Sequence, residues 1–150
     1  MAELQTDYSS DIAPGYAGMV ANGETSNRIS RTIEDADGIG FGVAAFRGAE
    51  DHTCTATPAA GDLLGITMAH VALGQLAGQA ADTYPQYENV GIMTQGTIWV
   101  LASETVVAGD QAYATPAGAI GKTATGNVIL DGWFFDTSAA ADAVAKLVRR

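Results

Sequence analysis

A formal net charge of −10 on 150 residues, from 17 Asp and Glu against 7 Lys and Arg, leaves no surface suited to tracking phosphates and excludes nucleic acid as a partner. The 47% hydrophobic content supports one buried core, and 18 glycines against 4 prolines, spaced between apolar runs, indicate many turns rather than disorder. A lone cysteine, Cys54, excludes an internal disulfide and fits a reducing compartment, and no run nears the ~20 apolar residues of a membrane helix.

Residues 1–27 (MAELQTDYSSDIAPGYAGMVANGETSN) hold no sustained period of 2 or 3.6. Gly15 and Gly18 discourage a helix after Pro14. No secretory signal is expected ahead of Leu4, so synthesis in a cytoplasm is expected. A purely solvated tail has little use for tyrosine, isoleucine and methionine stranded among short polar residues. The segment is therefore expected to be an extended arm that orders on a neighbouring surface, with Tyr8, Ile12, Pro14, Tyr16 and Met19 as its contacts. Residues 28–150 form the β-rich body.

Residues 28–34 (RISRTIE) alternate cleanly and read as a strand, followed by a turn at Asp35-Ala36-Asp37-Gly38. A second strand is expected over 39–46 (IGFGVAAF), with Ile39, Phe41, Val43 and Ala45 on one face. Gly40, Gly42 and Ala44 on the other face suggest the close approach of another backbone. A turn over 48–51 leads to a short polar strand over 52–57 that ends at Pro58. Ala60-Gly61-Asp62 then opens a strand over 63–68. Between 69 and 89, Leu73, Leu76, Ala77 and Ala80 have helical spacing, but Gly74 and Gly78 interrupt it. A surface excursion carrying Tyr84-Pro85-Gln86-Tyr87 is expected there.

The chain is organised around residues 90–115 (VGIMTQGTIWVLASETVVAGDQAYAT). Ile92, Ile98, Trp99, Val100 and Leu101 mark a strand with at least one buried face. Ala108-Gly109-Asp110 is a turn before a second strand at 111–115, giving a β-hairpin or β-arch. Residues 120–125 read as a polar turn region, and 127–130 with 133–136 as a hairpin around Asp131-Gly132. Asp136-Thr137-Ser138, ahead of several alanines, is a candidate cap for a short helix, and 143–150 reads as a closing strand. Short strands at this spacing predict an all-β fold, a small β-barrel or jelly-roll-like sandwich with an extended N-terminal arm.

No catalytic constellation emerges. Ile120-Gly121-Lys122-Thr123 invites a phosphate-loop reading, but Pro116 stands where that motif needs glycine and turn residues follow where it needs a helix. Gly38-Ile39-Gly40-Phe41-Gly42 has no βαβ unit around it. His52, Cys54 and His70 are three nominal ligands without paired spacing, so neither a metal nor a thiol nucleophile is expected. The turn carboxylates, such as Asp35, Asp37, Glu50 and Asp51, read as capping groups, and Trp99, Trp133, Phe134 and Phe135 as core. Neither cofactor nor enzymatic activity is expected.

A series of segments carries a further signal: 8–19 (YSSDIAPGYAGM), 29–34 (ISRTIE), 38–42 (GIGFG), 60–67 (AGDLLGIT), 90–100 (VGIMTQGTIWV), 108–113 (AGDQAY) and 135–138 (FDTS). In this order and spacing the chain resembles the structural cement, or head decoration, proteins of tailed bacteriophages. The resemblance spans nearly the whole chain, and 71–88 is its least matched stretch. It implies a non-enzymatic protein on the outer surface of the virion, made in the host cytoplasm. Its implied partner is the major capsid protein, whose neighbouring capsomers it clamps against internal DNA pressure. Dimers or trimers at symmetry axes are expected, with no membrane partner. Two rivals make different demands. A tail or fibre domain would show fibre repeats or heptads. A carbohydrate-binding sandwich would need an exposed aromatic platform, for which Tyr84 and Tyr87 are the only candidates.

Overall fold

The computed structural model describes residues 14–70 and 81–150, which hold eleven strands and no helix. In chain order these are β1 (Asn27–Ile33), β2 (Ile39–Gly40), β3 (Ala44–Arg47), β4 (Thr53–Thr55), β5 (Leu63–Thr67) and β6 (Thr83–Tyr84). There follow β7 (Asn89–Leu101), β8 (Gln111–Ala114), β9 (Ile120–Gly121), β10 (Val128–Phe135) and β11 (Val144–Arg149). The all-β expectation holds.

Strand β7, at 13 residues, belongs to two closed sheets. Its first half pairs antiparallel with β1 on one edge and β5 on the other. Strand β5 continues to β3, β3 to β4, and β4 back to β1 through a parallel pairing. The result is a five-stranded barrel. Its interior is filled by Ile33, Phe41, Ala45, Cys54, Leu64, Val90 and Ile92, together with Tyr84 from the small β2–β6 sheet. Each such aliphatic or aromatic side chain contributes about 1.5–3 kcal/mol on full burial.

The second half of β7 pairs with β11, and the sheet continues through β10 and β8 to β9. An isolated parallel bridge between Ala102 and Ile120 returns β9 to the end of β7 and closes a second lobe. Ile98, Val100, Leu130, Trp133, Phe135 and Leu147 fill it, and that core continues through Phe46, Ile66 and Met93 between the lobes.

Five details differ from the sequence reading. The expected 39–46 strand is broken by a turn at Phe41-Gly42, where Gly42 takes a φ of 66°. Of the two alternatives expected around Gly109 the arch is the one formed, since β7 and β8 do not pair, but Phe134, expected in the core, is 43% exposed on the outer face of β10. Asp131-Gly132 is no hairpin turn either. Strand β10 runs straight through it as a bulge: Leu130 and Trp133 both point into the core, three residues apart, and Gly132 adopts a φ of 77°. No helix follows Ser138; Ala139 instead bridges Val106, and the Thr137 hydroxyl accepts a bond from the Lys146 amide. Ile120, expected in a polar turn, is buried in β9.

Candidate binding surfaces

Residues 14–26, the described part of the expected arm, run along the outer edge of β7. The Gly18 amide donates to the Trp99 carbonyl at 2.8 Å, the Trp99 amide to Met19 at 2.9 Å, and the Ala21 amide to Thr97 at 2.9 Å. Val20 forms a bridge with Ile98 and packs on the core. The small face expected around Gly42 receives this segment: a Cβ on Gly42 would lie 2.6 Å from the Gly18 nitrogen. Glu24 pins the segment further, accepting from the Thr97 hydroxyl at 3.0 Å and pairing with Arg150 at 3.1 Å. The Arg150 guanidinium and the Thr97 hydroxyl hold the Glu24 carboxyl below the usual carboxylate range.

This strap sorts the five expected contact residues. Pro14 is exposed and Tyr16 is 50% exposed, so both face outward. Met19 is half-buried, with its carbonyl committed to β7. Tyr8 and Ile12 lie outside the described residues. The excursion over 69–89 is described only outside 71–80. Within it, Tyr84 is buried, donates to the Met68 carbonyl at 2.6 Å and meets Phe41 edge-on at 5.1 Å. Only Tyr87 of that pair is exposed, at 77%, so no aromatic platform forms from the two.

A groove of about 490 Å³ separates the lobes. One wall is Gly38 to Val43 with Ala56, the other Ala117 to Ile120, and Ala17, Leu101, Ser103 and Asp142 complete it. Leu101, the last residue of β7, is 49% exposed there. Sequence reasoning missed this site because its walls lie about 80 positions apart. The only available signal was the run of small residues in each wall, glycine at 38, 40 and 42 and alanine or glycine at 117, 118 and 119. A second groove of about 460 Å³ lies beside Phe134, Val148 and Arg150.

The chemical candidates are occupied by structural work. The Lys122 and Thr123 amides, which a phosphate would need, donate to Glu104 Oε1 at 2.7 and 2.8 Å. Those bonds, with one from the Thr123 hydroxyl, hold the Glu104 carboxyl below its ordinary range. Cys54 is buried inside the barrel, and loss of solvent pushes its thiol up to about 11. His52 and His70 are exposed, away from that interior. Among the described residues no three His, Cys, Asp or Glu side chains cluster as metal ligands, and no helix is long and apolar enough to cross a membrane.

Comparison with known proteins returns a family match over residues 4–150, described as Structural cement protein (E217 gp24/Pam3 gp6). No curated protein matches the sequence. Among solved structures, the fold is similar to a chain of the capsid of Myoviridae phage XM1, with a TM-score of 0.74 and 18% identity over 99% of this chain and 97% of that one. The head fibre gp8.5 N base of bacteriophage phi29 also aligns, with a TM-score of 0.47 and 9% identity over 84% of this chain and 95% of that one.

Proposed function

We propose, from the premise that this chain belongs to the phage structural cement protein family, how it performs the capsid-stabilising role of that family. It sits on the outer surface of the shell, without enzymatic activity, and clamps neighbouring capsomers of the major capsid protein. The observation that carries this reading is the family match over almost the whole chain, on a body whose two sheets share one continuous strand. A clamp must transmit load between its contacts without unfolding, and a shared strand supports that.

Residues 1–27 supply the adhesive element in this reading and 28–150 the body. The outward Pro14 and Tyr16, and Tyr8 and Ile12 beyond them, touch the shell, while Met19 anchors the strap to the body. Self-association as a dimer or trimer at symmetry axes multiplies weak contacts, so many copies together resist shell opening. The net charge of −10 supports an external position, away from packaged DNA.

The test is co-sedimentation of the protein with undecorated, expanded phage capsids, followed by heating of the decorated shells. Saturable binding and a raised disruption temperature are expected. Absence of binding by folded protein would refute the reading. Deletion of residues 1–13 should weaken binding while leaving the melting temperature of the body unchanged. Undiminished binding would remove the arm from the contact surface.

A further inference from the structure

We infer that the groove between the lobes is a docking slot for an extended, apolar and basic segment of the capsid shell, which deepens the cement reading and rests on it. Its walls carry small side chains, among them Gly40, Ala117 and Ala119, so a peptide backbone can approach closely. Leu101 supplies the apolar contact. It stands 49% exposed at the end of a strand whose other apolar residues are buried. A volume of about 490 Å³ is within the range of ligand-binding clefts.

Charge selects the occupant. Among the described residues Asp142 is the only charged one lining the groove, and it is exposed. Residues 1–13 of this chain carry Glu3, Asp7 and Asp11 and no Lys or Arg. Neither its own N-terminal residues nor those of a second copy complement Asp142, and a second copy brings another ten negative charges. A shell segment with a Lys or Arg beside its apolar residues satisfies both Leu101 and Asp142.

The experiment measures binding of the full chain and three single variants to expanded shells over a range of salt. Ala119→Arg fills the groove from an exposed wall position and adds a charge that repels a basic segment. Asp142→Asn removes the charge while keeping a residue that tolerates its φ of 61°. Tyr87→Ser alters an exposed aromatic outside the groove. Folding of each is checked by its melting curve. The expected result is an affinity loss of about tenfold or more for Ala119→Arg, the scale of a disrupted interface centre. Asp142→Asn should bind more weakly with a shallower salt dependence, and Tyr87→Ser should bind as the parent does. Parent-like binding by folded Ala119→Arg would overturn the proposal. So would loss of self-association with shell binding intact, since the occupant would then be a second copy. If the parent chain itself fails to bind, the cement reading falls instead, and the two failures are distinguishable.

Discussion

The side-chain amide of Gln111 reaches across the β10 bulge to the carbonyl of Trp133 at 2.8 Å and to that of Leu130 at 2.9 Å. A bulge leaves ladder carbonyls without strand partners, and a buried carbonyl without a donor is costly. Gln111 is long enough to satisfy two of them from the neighbouring strand. Trp133, the largest fully buried side chain, can thereby face the core out of the ordinary alternation.

Replacing Gln111 by Ala should therefore lower stability by about 1–3 kcal/mol, the scale of buried polar groups left unpaired. Urea unfolding of the two proteins checks it. An unchanged midpoint would mean that the bulge carbonyls find other donors.

Gly15 lies flat on the indole of Trp99, so close that a Cβ would stand 2.6 Å from the ring. Gly15→Ala should lift the strap from β7 at a cost of about 1–3 kcal/mol. Tryptophan emission should shift to the red as Trp99, only 7% exposed in the parent, meets water. Unshifted emission with parent stability would show that the strap adjusts around the methyl group.

Cys54 should be inert in the native protein. Its thiol is raised from 9.0 to about 11 by burial, with the Asp35 and Glu34 charges adding to the effect, so hardly any thiolate exists at pH 8. Alkylation followed by mass spectrometry should label the protein rapidly in denaturant and negligibly without it. The sign of the linkage follows. The folded state favours the neutral thiol, so its contribution is full below pH 9 and is lost as pH rises toward 11.

Glu104 should act on the acid side. Its carboxyl is held low by the Thr123 and Lys122 amides, so the stability it contributes is present above the ordinary carboxylate range and is lost as pH falls through its depressed value. Glu104→Gln should destabilise the 120–123 loop at pH 7 and flatten the acid limb of the stability curve. Thermal melts from pH 2 to 7 measure both effects, and an unaltered acid limb would assign that limb to other carboxylates.

Local pattern made much of this molecule legible. The alternation in residues 28–34 and 143–150 matches β1 and β11, and the apolar crowding from Val90 onward matches β7. Where two local rules competed, the sequence reading followed the wrong one. Asp131-Gly132 is a favoured hairpin pair, yet the positive φ of Gly132 serves a bulge, and the deciding group, Gln111, sits on another strand. Tyr84 reads as a surface tyrosine beside Pro85, but Phe41 and the Met68 carbonyl give its ring and hydroxyl buried partners from distant segments. The inter-lobe groove was invisible for the same reason: its walls meet only once both sheets close on β7.

That shared strand has a mechanical consequence. Opposed forces on the two lobes, directed along β7, load the ladders of β1 and β11 in shear, so many hydrogen bonds must yield together. A pull across the strand would peel the same bonds one at a time. The molecule is therefore anisotropic, stiff along one axis and weaker across it. Its orientation on a surface under tension decides how much strain it bears before its lobes part.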